Sequence, residues 1–156
     1  MLFAWGLWPS ARQGPLGLIT VPTVTTDDET RNAINALIEA TFEAMSTPGS
    51  AVDRIFDSPD IAVSGSGVGE LFYGPEAVVG AATAVSSRAY RWTPETVTVW
   101  RRGEVAWAQI LGRVRISRND ETEEVPYWTS GIFGFENGRW QWLYWGGAEP
   151  QDPPRA

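Results

Sequence analysis

Glu70, beside the glycine-rich stretch Gly65-Ser66-Gly67-Val68-Gly69, is the carboxylate whose setting best suits proton transfer. On a short strand next to a flexible bend it can reach a pocket mouth, lose part of its hydration and acquire a pKa useful to an acid or base. Tyr73, three residues on, offers a phenol able to donate to a substrate oxygen. Each also has a plainer reading, Glu70 as a solvated hairpin charge and Tyr73 as a packing residue. The chain contains no histidine, cysteine or lysine, and all twelve basic residues are arginine. That excludes imidazole acid/base catalysis, His-dependent triads, thiolate nucleophiles, Schiff bases and metals held by His or Cys. Chemistry here rests on Asp, Glu, Tyr and Arg with ordered water, and neither a cofactor nor a metal site is expected. The three glycines invite a phosphate-loop reading. However, neither the dinucleotide spacing nor a Gly-Lys-Ser/Thr is present, and a strand comes next, so they are read as a turn.

Groups that could hold a ligand lie further along. In the long strand Glu104–Arg118, Trp107, Gln109, Leu111 and Arg113 share one face, and Ala106, Ala108, Ile110, Gly112, Val114 and Ile116 the other. The mixed face is expected to wall the pocket, since ligand sites combine apolar walls with a few fixed polar groups. Arg113 then anchors an anionic or carbonyl group, or serves as a rim ion pair. Trp128, Trp142 and Tyr144 are expected to complete the ligand contacts. By simple alternation Trp140, Trp142 and Tyr144 share a face that Leu143 and Trp145 do not. No single pocket can use all nine tryptophans, so some are expected at a subunit interface.

These residues need elements to carry them. Thr26-Asp27-Asp28-Glu29 reads as a capping box with the Thr26 hydroxyl as cap. The next segment reads as a helix whose buried face is Ile34, Leu37, Ile38, Thr41, Phe42 and Met45, and Pro48-Gly49 stop it. Ser50 is expected to cap a short second helix containing Val52, Ile55 and Phe56. Strands are expected at 60–64 and 70–73, and Gly74-Pro75-Glu76 opens a third helix. Four long strands complete the chain, with Pro94 marking an edge or bulge, Asn119-Asp120 a turn and Asn137-Gly138 a tight hairpin. Asp120, Glu121, Glu123 and Glu124 read as a solvated hairpin tip that also protects a sheet edge.

Composition sets outer bounds. With 156 residues, 43% hydrophobic and 20% charged, the chain has the balance of one folded domain. A net charge of −7 repels polyanions, so nucleic acid is not an expected partner. No apolar run is long enough to span a bilayer, and Leu2–Trp8 lacks the basic start of a secretory signal, so a cytoplasmic location and no membrane partner are expected. Residues 1–25, broken by Gly and Pro, are read as an N-terminal arm or an over-long start. Residues 26–148 form the domain and 149–156 a flexible tail.

The order of helix, short helix, strand pair, helix and four antiparallel strands resembles the cone-shaped nuclear transport factor 2-like fold. Three segments resemble its SnoaL-like branch in particular: Phe56 to Val63, Gly65 to Val78 with Tyr73-Gly74-Pro75-Glu76, and the closing Phe135-Glu136-Asn137-Gly138-Arg139-Trp140. The resemblance implies an α+β domain with a strongly curved, mostly antiparallel sheet covered by about three helices. It also implies a pocket between sheet and helices, and frequent dimerisation through the outer face. An apolar face on both sides of a sheet points the same way, since three helices cannot cover both; a homodimer is expected. Many relatives carry histidine near the place of Tyr144 to Gly146, so their histidine roles do not transfer. The expected ligand is a small apolar or aromatic molecule. The leading function is cofactor-independent isomerase, cyclase or dehydratase chemistry on an apolar oxygenated substrate, with Glu70 as acid/base and Tyr73, Gln109, Arg113 and Tyr144 orienting oxygens. The rival is a non-catalytic dimeric ligand-binding or assembly module.

Overall fold

The computed structural model describes residues 26–88, 90–118 and 121–150. Residues 1–25, 89, 119–120 and 151–156, with the expected arm and the expected Asn119-Asp120 turn, lie outside them. Helix α1 (Asp28–Met45) buries Ile34, Ile38, Thr41, Phe42 and Met45, the stripe that its three- and four-residue spacing dictates. Its cap differs from expectation. Asp27, not Thr26, accepts the Thr30 backbone N–H at 2.7 Å, while the Thr26 hydroxyl donates to the Val99 carbonyl oxygen. A carboxylate is the stronger acceptor at a positive helix end, which frees Thr26 to tie the chain to the sheet.

Ser50 is a second correction: its hydroxyl donates back to the Ala44 carbonyl oxygen, and the expected second helix is one 3₁₀ turn (Val52–Arg54) without a side-chain cap. The helices are therefore α1, that turn and α2 (Gly74–Ser86), which has proline in its first turn.

The strands are β1 (Ala62–Ser64), β2 (Leu71–Tyr73), β3 (Tyr90–Arg102), β4 (Val105–Arg118), β5 (Glu121–Glu136) and β6 (Arg139–Ala148). They form one curved, open sheet in the order β2-β1-β6-β5-β4-β3, antiparallel except where β1 runs parallel to β6. Asn137 and Gly138 both adopt positive φ at the β5–β6 turn, the conformation that a two-residue hairpin requires.

Two irregularities decide which side chains face inward. Glu95 is left unpaired between Pro94 and Thr96 on edge strand β3. On β6, Ile132 pairs with Tyr144 but Phe133 pairs with Trp142, so Leu143 is an extra residue. Such a bulge reverses alternation beyond it. Trp142 and Trp145 consequently both enter the core under the helices, and Tyr144 turns to the outer face. This corrects the face assignment that strict alternation gives. Trp142 is completely buried against Phe56, Phe133 and Trp145, and its indole N–H donates to the Thr41 hydroxyl at 2.9 Å.

Asp27 also pairs with Arg101 at 3.0 Å, and the Thr30 hydrogen bonds, aided by that cation, hold its carboxyl below its ordinary value of 3.8. A lowered folded pKa contributes stability above the unfolded value, which is lost as pH falls through the folded one. Asp27→Ala should therefore melt below the wild type at pH 7, and the gap should close as pH is lowered beneath 3.8. A gap unchanged at low pH would mean that the carboxylate charge is not what caps the helix.

Candidate functional site

The sheet's inner face and α2 enclose a cavity of about 300 Å³. Its apolar walls include Val63, Phe72, Val78, Val114, Ile116 and Val125, and its polar wall residues include Ser66, Glu70, Arg88, Tyr127 and Glu149. The side of β4 that walls it is thus the smooth one. Alternation separates the two faces of a strand but does not say which of them a helix covers, and here the small and branched face is inside.

The cross-strand partners make the consequence plain. Trp100, Trp107, Ile132, Tyr144, Ala62 and Tyr73 form one row across all six strands, on the face away from the cavity. Gln109 and Ser130 lie in the next row, and Leu111 and Trp128 in the one beyond. Tyr73 is 67% and Trp128 45% exposed. Gln109 is tied to the sheet itself, donating to the Thr129 carbonyl oxygen and accepting from Ser130. Arg113 pairs with Glu95 at 2.7 Å, the rim-pair reading, with Glu124 nearby at 3.9 Å. So Tyr73, Gln109, Arg113, Trp128 and Tyr144 share the outer face, Trp142 belongs to the core, and Glu70 alone of the expected residues lines the cavity.

Glu70 stands at an exposed rim rather than in a desolvated recess. Its backbone oxygen accepts from the Gly65 N–H at 2.8 Å, and its carboxylate folds back to accept from the Gly67 N–H at 2.9 Å. A Cβ at Gly65 or Gly67 would collide with that side chain, so the glycines are what let the carboxylate curl over the turn. Ser66, on the same turn, donates to the Glu149 carboxylate at 2.9 Å and ties the turn to the end of β6.

Tyr127, missed in the sequence, is a buried phenol in the cavity wall. It is 8% exposed, packs edge-on to Trp92 at 4.8 Å between ring centroids, and extends its hydroxyl over Gly147, where any Cβ would clash. Burial, aided by the Glu70 and Glu149 carboxylates, pushes its pKa above the usual 10, while interactions with Ser66 and Trp145 oppose the rise. The phenol accordingly stays protonated at neutral pH, and its hydroxyl can donate a hydrogen bond. Its signal in the sequence was the alternation of Val125, Tyr127 and Thr129 along β5, which competed with the more conspicuous Trp128 on the other face. At another part of the wall the Arg88 guanidinium lies 5.7 Å above the Tyr90 ring. Among the described residues no group of three or more His, Cys, Asp or Glu is placed to hold a metal ion, and no helix is long and apolar enough to cross a membrane.

Solved structures share this architecture. A nuclear transport factor 2-like protein of unknown function from Pseudomonas putida superposes with a TM-score of 0.69 at 17% identity, over 83% of this chain and 93% of that one. A candidate dehydratase of the same family from Streptomyces avermitilis gives 0.72 at 13% identity, over 81% and 100%. A candidate scytalone dehydratase from Novosphingobium aromaticivorans gives 0.69 at 8% identity, over 79% and 85%. At such identities the likeness establishes the fold. Among curated proteins no significant match was found. The SnoaL-like domain model, however, matches residues 33–148, most of the chain, and the protein therefore belongs to the SnoaL-like family of the nuclear transport factor 2-like superfamily.

Proposed function

We propose that the inner-face cavity binds a small, largely apolar, oxygenated molecule and that Glu70 and Tyr127 act on it by cofactor-independent acid/base chemistry of the isomerase, cyclase or dehydratase kind. The supporting observation is the meeting of apolar walls with a buried phenol and a rim carboxylate in one enclosure. The two structural neighbours described as candidate dehydratases support the same reading. Glu70 would take or give the proton and Tyr127 would donate to a substrate oxygen. Ala81 lines the cavity from α2 and is half-buried, so a larger side chain there fills space without displacing the core. Ala81→Phe should weaken binding of 2-naphthol at least about tenfold by calorimetry, the scale of losing a well-fitted apolar contact. Unaltered binding in a folded variant would place the ligand elsewhere.

The exposure of Glu70 favours a second reading, a ligand-binding module without turnover. Both readings include a homodimer through the outer face and a cytoplasmic location. That face carries stacked Trp100 and Trp107 with exposed Leu111, Trp128 and Ile132, an apolar surface suited to a subunit contact. Sedimentation at micromolar concentration should show a dimer, and Trp128→Glu should shift it to monomer while keeping its helical and strand signal. A wild-type monomer would leave the outer aromatics without a role in assembly.

A further inference from the structure

The cavity wall is unusually aromatic as well as acidic. Phe56, Phe72, Tyr90, Trp92, Tyr127 and Trp145 all line it, with Trp92 and Tyr127 nearly perpendicular at 87°. The edge-to-face contact takes up one face of the pair, and the faces left over are turned in different directions, where a π face attracts an ammonium group. Glu70 and Glu149 border the same space, and both act electrostatically on the Tyr127 phenol, so their field extends inside. Arg88 is the only cation among the described wall residues, and it already lies over the Tyr90 ring. The wall thus attracts one positive group of the protein's own.

We propose that the cavity selects an organic cation, an amine or quaternary ammonium compound with an apolar body, whose charged group sits among Trp92, Tyr127 and Trp145 and is drawn in by Glu70 and Glu149. This rests on the cavity being a ligand site and adds a positive charge to the ligand. A neutral molecule of the same shape gains the apolar contact but neither the π-face attraction nor the carboxylate field. A carboxylate must approach against both acidic groups, with Arg88 the one described wall cation to offset them.

The experiment compares three probes by calorimetry on the full chain at low salt: benzyltrimethylammonium, its uncharged isostere neopentylbenzene, and phenylacetate. The ammonium should bind about tenfold tighter than the hydrocarbon, as expected for a partly desolvated cation among aromatic rings. Phenylacetate should bind weakest. Glu149→Gln should lower ammonium affinity about threefold and leave neopentylbenzene unchanged, because only the charged probe feels an exposed carboxylate. Tyr127→Phe, which keeps the π face and deletes the hydroxyl, should retain the preference for the ammonium. Equal binding of ammonium and hydrocarbon, or tighter binding of phenylacetate, overturns the charge selection while leaving the ligand cavity standing. Failure of all three probes to bind overturns both.

Discussion

Alanine at position 142 is expected to cost about 3–5 kcal/mol, the range for deleting a large aromatic side chain from a closed core. Trp142 is completely buried, touches three other rings and leaves the Thr41 hydroxyl without its indole partner when removed. A domain of ordinary stability has about 5–15 kcal/mol in all, so the variant should unfold at markedly lower urea concentration or fail to accumulate. Trp142→Phe should recover part of the loss. A Trp142→Ala variant within about 1 kcal/mol of wild type would mean that the pocket side of the molecule, rather than the core, holds this indole.

The sequence alone points to the opposite use of Trp142, as a ligand contact on the same face as Tyr144. The reason is local. Alternation along β6 is read by counting, and one extra residue at Leu143, visible only in the pairing of β5 with β6, reverses the count. Other features are legible in the sequence and present in the fold: the α1 stripe, proline at the start of α2, the Asn137-Gly138 hairpin and the irregularity at Pro94. These depend on periodicity and backbone chemistry carried by adjacent residues. The choice of inner face on β4 depends on where α1 and α2 settle, a non-adjacent fact. Trp107, Gln109 and Arg113 resemble a pocket in composition, and that likeness favours the side away from the cavity. Tyr127 is hidden for the same cause. Glu70 is legible because its glycine neighbours mark a turn, and the same turn carries Ser66 to the cavity.

Glu70→Gln carries the second large expected effect. Glutamine keeps the size of the side chain and an oxygen able to accept from Gly67 N–H, so fold and affinity for uncharged ligands should be preserved. It cannot titrate. If Glu70 moves the proton, turnover of an apolar oxygenated substrate should fall by about 10²-fold or more. No imidazole exists in the chain to substitute. Unchanged turnover would remove Glu70 from the chemistry, and binding without turnover in the wild type, across oxygenated aromatic substrates, would favour the non-catalytic module.

Which face of the sheet receives the ligand decides between the pocket and the outer row, and the indole groups report on it directly. Trp92 and Trp145 line the cavity, whereas Trp107 and Trp128 lie on the opposite face. In a ¹H–¹⁵N spectrum of the labelled chain, saturating 2-naphthol should move the indole N–H resonances of Trp92 and Trp145 and leave those of Trp107 and Trp128 in place. Movement of Trp107 and Trp128 with Trp92 and Trp145 unmoved would contradict the inner-face site.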